Sequence, residues 1–437
     1  MRKTGTGMGV LIAAIVFLAD PASAEVDTSL AREVDRYLSA EGGGAADAST
    51  FRVFFRDGVK LETADKKFTA SIGGRLHLDS FWKSGDDTLE PLASPTDGAP
   101  RADGVRFRRA RLAVQGTMFE RVEFSVELEF ATASTELRNT YLGLLRVPAV
   151  GTVRLGHMKE PFALEEMTSA NSITFMERAP STQAFAPLFN TGLMVFRDHY
   201  EGRLAWQAGV FRPTAENGAG LESDDGYSVT FRITGLPVDR KGDRPFFVHV
   251  GFAFSYRTSP DGTARFRARP SVATGPRFVD TGSIADSENQ TLFGIELALV
   301  WGPLSVQGEF MMADVDSAST GDPSLSGFYV QVSYWVTGEH RPYDRKWGRF
   351  ARLEPKRNFG DGGGSGAVEI CVRFSQVDLN DSGITNGGEL EDTTIGINWH
   401  LNPNARVMLN VVIADLDGRT TASGSMQAVQ MRFQVDF

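Results

Sequence analysis

Residues 121–131 read Arg-Val-Glu-Phe-Ser-Val-Glu-Leu-Glu-Phe-Ala. Val122, Phe124, Val126, Leu128 and Phe130 alternate with Glu123, Ser125, Glu127 and Glu129. In an extended chain successive side chains point to opposite faces, so one face of this segment is greasy and the other is charged. Tyr227, Val229, Phe231 and Ile233 alternate in the same way with Ser228, Thr230, Arg232 and Thr234. Gly202, Leu204, Trp206, Ala208 and Val210 do so against Arg203, Gln207 and Phe211.

Counting such runs along the chain predicts strands starting near Phe68, Arg106, Arg121, Leu137, Val150, Thr191, Gly202, Gly226, Arg244, Asn289, Pro303, Leu325, Gly366, Leu390, Asn404 and Met426, sixteen in all. Their connections alternate in length. Residues 83–105, 158–190 and 258–288 are long and 379–389 moderate, whereas Met118–Glu120, 198–201, Gly302-Pro303 and Asn402-Pro403-Asn404 are tight. An even number of strands with long loops on one rim and short turns on the other is the pattern of an outer-membrane barrel. The connection 338–365 breaks that pattern, because it falls where a short turn belongs. A water-soluble sandwich or adhesin also uses alternating strands. The ending Phe433, Val435, Phe437 favours the barrel, since an aromatic terminal strand is similar to the signal read by barrel-assembly machinery.

Composition narrows the alternatives. The 437 residues include one cysteine, Cys371, so neither a disulfide framework nor a cysteine zinc site is available. Arg2 and Lys3, the apolar run Val10–Ala19 and the small residues Ala22-Ser23-Ala24 read as a secretory signal over 1–24. Residues 25–66 then form an N-terminal extension and linker, with Gly42–Gly44, and 67–437 the barrel. Removing 1–24 takes away Arg2, Lys3 and Asp20, leaving 43 basic and 54 acidic side chains and a net charge of −11. That sign argues against a nucleic-acid partner. No later stretch is apolar for 18 residues, which excludes a helical membrane protein but not a barrel, whose strands are only half apolar.

Four segments in order resemble the phosphate-selective porin O and P family of Gram-negative outer membranes. They are Gly104-Val-Arg-Phe-Arg-Arg-Ala-Arg-Leu112, Gly156-His-Met-Lys-Glu-Pro-Phe162, Gly366-Ala-Val-Glu-Ile-Cys-Val-Arg-Phe-Ser375, and Thr394 to Asn404 leading to Asn410. The resemblance implies a sixteen-stranded barrel, commonly a homotrimer, whose third extracellular loop folds inward. It also implies an arginine ladder with a lysine-bearing central site that attracts phosphate or other small anions.

Fixed positive charge in a narrow lumen selects anions because screening there is weaker than in bulk water. Arginine stays protonated and matches phosphate oxygens with a forked set of donors. Candidate residues fall in three places. Arg109 and Arg111 share lumen parity, while Arg108 joins them only if a bulge shifts the register; the resemblance carries Arg108 and Arg109 into the ladder. Arg265, Arg267 and Arg269 alternate with Phe266 and Ala268 and point one way, either as a funnel for anions at the outer mouth or as a basic surface against lipopolysaccharide phosphates. Lys159 opens the inward loop and matches the family's central lysine, with Glu160, Glu165 and Glu166 as alternative ion-pair partners. Arg75, Arg154, Arg203, Arg232, Arg257 and Arg373 are expected to stiffen the wall through ion pairs. Folding the hairpin at Met118–Glu120 brings Arg109 and Arg111 near Glu127 and Glu129, which would cancel much of their field.

The six histidines form no pair at metal-ligand spacing, and no HExxH or GxSxG is present. No cofactor is expected. The function expected is passive diffusion of small anions, preferring phosphate-like solutes. A general porin without that preference and an outer-membrane enzyme such as a lipase are the alternatives.

Overall fold

The computed structural model describes residues 50–437 apart from 57, 94–97, 215–216, 219–225 and 419–421. The expected signal 1–24 and the linker at Gly42–Gly44 lie outside the described residues. Sixteen strands form a closed antiparallel wall, each hydrogen-bonded to its neighbours in chain order. The first eight are β1 (Phe68–Gly85), β2 (Gly104–Met118), β3 (Val122–Glu129), β4 (Thr140–Val147), β5 (Gly151–Lys159), β6 (Phe189–His199), β7 (Leu204–Arg212) and β8 (Ser228–Arg240). The second eight are β9 (Phe246–Thr258), β10 (Ser287–Trp301), β11 (Leu304–Ser317), β12 (Ser324–Trp335), β13 (Ala367–Asp378), β14 (Glu389–Asn402), β15 (Ala405–Asp417) and β16 (Gly424–Asp436). Strand β16 returns to pair with β1 from Met426↔Gly85 to Asp436↔Arg75, and Phe437 exchanges two further backbone hydrogen bonds with Gly74. Closure pairs each of the sixteen wall strands with a neighbour on both sides, which is the condition for backbone to cross hydrocarbon as strands. Before β1, the short strand Val59–Thr63 pairs with its first half, Val59 opposite Ile72.

The wall is inverted relative to a protein that folds in water. On β3, Val126 is 42% exposed whereas Glu127 and Glu129 are 3% and 2% exposed. Ile295, Leu297, Phe310, Val330, Ile395 and Ile397 also point outward, while Arg232, Gln307, Arg373, Asn398 and Arg432 point inward. A soluble protein rarely leaves so continuous an apolar surface uncovered. An apolar outer band around a polar interior is the arrangement of a barrel set in acyl chains, and many of the inward polar groups pair with one another, as Arg232 does with Glu296 and Arg432 with Asp79. Among the described residues no helix is long and apolar enough to cross a membrane.

Among the described residues, three connections fold into the interior. Residues 160–188 carry two short helices, Leu164–Met167 and Pro180–Phe185, and are pinned to the far wall. Glu309 on β11 accepts from the Leu164 and Glu165 amides at 2.7 Å each. Met176 N donates to Asn410 Oδ1 at 2.9 Å, and Asn398 on β14, Arg406 on β15 and Arg432 on β16 donate to carbonyls of Thr174, Ile173 and Met176. Loop 158–190 thus enters the lumen, as expected. Residues 259–286 also turn inward, where Ser271 donates to Asp392 and accepts from Arg373.

The connection 336–366 explains the break in the loop pattern. It is a turn of the short-turn rim that grew into an inserted hairpin, Tyr343–Asp344 pairing with Arg349–Phe350. Its Trp347 and Gly348 carbonyls accept from Arg232, and the Trp347 ring packs tilted against Phe196 with centres 4.2 Å apart. Gly348 has φ +58°, and a Cβ there would stand 2.2 Å from Thr234 Oγ1, so the close seat against β8 requires glycine.

Candidate anion site in the barrel lumen

Between the inward loop and the inserted hairpin lies a cavity of about 560 Å³. Strands β1 to β6 supply most of its wall. Ten basic side chains line it (Arg75, Arg108, Arg109, Arg111, Arg138, Arg154, Lys159, Arg178, Arg349 and Arg352) against two acidic ones, Glu127 and Glu166.

Arg108 and Arg109 both reach this space because of a bulge. His77 pairs with Arg109 and Leu78 with Phe107, leaving Arg108 as the extra residue of β2. Arg108 forms a fork with Glu177 of the inward loop through two hydrogen bonds of 2.9 Å. Burial opposes ionisation of Glu177, but Arg108, Arg432 and Arg109 together hold its carboxyl well below the ordinary range. Arg111 pairs with Glu129 at 2.6 Å and Glu127 at 3.4 Å, and Arg75 joins Glu127 at 2.8 Å. The cancellation expected from the hairpin is therefore present for Arg111.

Arg109 differs. It is 4% exposed and makes no ion pair among the described residues. Its Nη1 donates to His77 Nδ1 at 3.4 Å, whose Nε2 donates to Asn171 Oδ1 at 3.2 Å, and its Nε has no hydrogen-bond partner. A buried guanidinium with an unused donor is where an anion gains most.

Lys159 ends β5, after Gly156 at φ +145°, where a Cβ would lie 2.4 Å from the Thr140 carbonyl. Its ammonium sits 2.8 Å from Glu166, which also holds Arg178 at 2.8 Å. Of the three partners considered from sequence, Glu166 is the one it meets. Burial works against Glu166 ionising, yet Arg178 and Lys159 outweigh it and keep its carboxyl below the usual range.

Arg265, Arg267 and Arg269 lie apart from this cavity. Their alternation is as expected, with Phe266 and Ala268 buried between them. Arg265 is forked onto Asp280 at 2.6 and 2.8 Å, Arg267 is exposed, and Arg269 donates to the Ala273 carbonyl at 2.9 Å. Wall residues behave as ion-pair stiffeners in several cases: Arg154 with Glu123, Arg232 with Glu296, Arg257 with Glu160 and Arg373 with Glu165.

Sequence reasoning missed Arg138, Arg178, Arg349 and Arg352 as cavity residues. All four sit in connections, where no periodicity assigns a side to a residue. Nine of the ten cavity cations touch a carboxylate, Arg109 being the exception among the described residues. The arrangement is thus a weakly positive lumen in which, among the described residues, one guanidinium has no carboxylate partner.

The family described as phosphate-selective porin O and P matches residues 90–437. Porin O of Pseudomonas aeruginosa is 24% identical over 430 residues, covering 88% of this chain and 91% of that protein. An uncharacterized protein of Caulobacter vibrioides is 28% identical over 328 residues, 72% of this chain, which spans 64% of that relative's length. Among solved structures, the outer membrane channel DcaP of Acinetobacter baumannii superposes with a TM-score of 0.53 at 10% identity, covering 86% of this chain and 99% of DcaP. An anion-selective porin from Comamonas acidovorans gives 0.51 at 13%, covering 85% and 100%. At those identities the structures speak for the fold alone. With the alternating wall, the closed sixteen-strand barrel and a matched span of most of its length, this chain belongs to the phosphate-selective porin O and P family of the Gram-negative outer membrane.

Proposed function

We propose that this porin conducts small anions passively and favours phosphate-like oxyanions at the cavity bounded by Arg108, Arg109, Arg111 and Lys159. The observation that carries the reading is Arg109, a buried guanidinium facing the lumen with no carboxylate in contact among the described residues. Arginine offers two parallel donors to adjacent oxygens of a tetrahedral anion, and Lys159 adds a point charge nearby. The paired neighbours keep the well shallow, and conduction requires an ion that leaves as readily as it enters. Arg265, Arg267 and Arg269 would act earlier, raising anion concentration at the mouth by their field. In this reading no cofactor takes part, the family and fold support a channel over an enzyme, the outer face meets lipid and lipopolysaccharide, and three copies assemble.

Planar-bilayer recording tests it. Anion-selective reversal potentials and block of chloride current by phosphate are expected, with block weakened in Arg109→Met and Lys159→Gln. A cation-selective pore, or block untouched by both substitutions, refutes it. The extensive pairing of the other cavity cations favours a second reading, an anion porin without phosphate preference, which the same recording reports as selectivity without block.

A further inference from the structure

The cavity is not polar on every side. Strands β1 and β2 present guanidiniums, but β4, β5, β6 and the inserted hairpin present Tyr141, Met158, Phe189 and Trp347. Leu188, the residue before β6, lines the same space and is 52% exposed. A barrel lumen that handles only hydrated inorganic ions is expected to be polar throughout. An inorganic oxyanion has no apolar surface, so it gains nothing from this wall and loses hydration beside it.

Part of the wall has a packing role. Met158 clusters with Met194, Phe196 and Phe211, and Tyr141 and Trp347 pack against that cluster, which seats the inserted hairpin. Leu188 and Phe189 have no place in it. Phe189 instead lies under two cations, with Arg138 at 5.2 Å and Lys159 at 5.6 Å from its ring centre. Apolar surface and positive charge are thus offered together, on the rim of the cavity, by residues the packing of the hairpin does not need. The volume, about 560 Å³, falls within the roughly 300–1,000 Å³ typical of pockets for small organic ligands.

We infer that the cavity takes organic anions in which an oxyanion head is joined to an aromatic or other apolar body, the head at Arg109 and Lys159 and the body against Leu188 and Phe189. This rests on the anion-conducting reading above and names the solute class for the same site. Removing about half of a phenyl ring's surface from water corresponds to about a tenfold gain in binding.

The full chain in planar bilayers is titrated with inorganic phosphate and with phenyl phosphate at one pH and salt, reading block of chloride current. Phenyl phosphate is expected to half-block at about one tenth of the phosphate concentration, and the ratio is expected to fall below about threefold in Leu188→Ser or in Phe189→Asn. Equal half-blocking concentrations, or a ratio that both variants leave intact, overturn the inference. The two failures separate cleanly: cation-selective reversal potentials remove the anion pore itself and this inference with it, whereas an anion-selective pore that does not prefer phenyl phosphate removes this inference alone.

Discussion

Replacing Arg109 by methionine deletes the single cavity cation without a carboxylate partner among the described residues while keeping much of its bulk. An anion seated about 6 Å from the guanidinium would feel about 0.7 kcal/mol of attraction at the dielectric of water and about 2.8 kcal/mol at an effective value near 20. The lumen is hydrated but walled by protein, so an intermediate value of about 1.4 kcal/mol is expected, a tenfold rise in the phosphate concentration that half-blocks chloride current. Recording at about 0.1 M salt keeps the screening length near 10 Å, longer than the contact being tested. Arg111→Met is the informative contrast, because it strips Glu127 and Glu129 of a shared partner and leaves two buried carboxylates under-paired. It should weaken block and also lower the thermal stability of the barrel, by roughly 3 kcal/mol, whereas Arg109→Met should leave stability nearly unchanged. Equal half-blocking concentrations in wild type and Arg109→Met, with folding intact, would show that the unpaired guanidinium does not contact the permeating ion.

Glu166→Gln removes the carboxylate shared by Lys159 and Arg178; the freed charges should tighten phosphate block severalfold and lower the saturating current, read in the same bilayer assay. Gly348→Val forces a side chain toward Thr234 in a left-handed backbone position; the inserted hairpin should lift off β8 and single-channel conductance should rise. Arg265→Gln, outside the cavity and forked onto Asp280, should move half-block by less than about twofold, the size expected of an exposed paired charge. Glu166 and Glu177 have folded-state carboxyls held below their ordinary values. Their stabilisation of the inward loop is therefore complete above the unfolded-state pKa of about 4.3 and is lost only as pH falls through the depressed folded values. Conductance should therefore change as pH is lowered below about 4, read at constant salt.

Strand placement was legible because a wall between lipid and water enforces strict alternation, and every expected start lies within three residues of an observed one, as with Phe68, Arg121 for Val122 and Leu137 for Thr140. The bulge at Arg108 was legible only as a condition for its lumenal placement, since an inserted residue changes parity without changing composition; the register shift at His77/Leu78 meets that condition. The hairpin at 343–350 was missed because its two-residue strands are too short to show a period. Loop 160–188 could be placed inward only through the family resemblance, for its anchors Glu309, Asn398, Arg406 and Arg432 lie more than a hundred residues away in sequence. Arg178 and Arg349 joined the site for the same reason: tertiary placement of connections decides which charges meet.

The pairing of β16 with β1 also sets a problem of timing. Until β16 emerges from the export channel, the second half of β1, residues 75–85, has an open edge that invites adhesion to any extended chain nearby. Joining strands some 360 positions apart costs an entropy that grows only as the logarithm of that separation, so the delay itself is tolerable. The hazard is kinetic: a polypeptide whose register cannot be sealed early must be held apart from its own kind in transit.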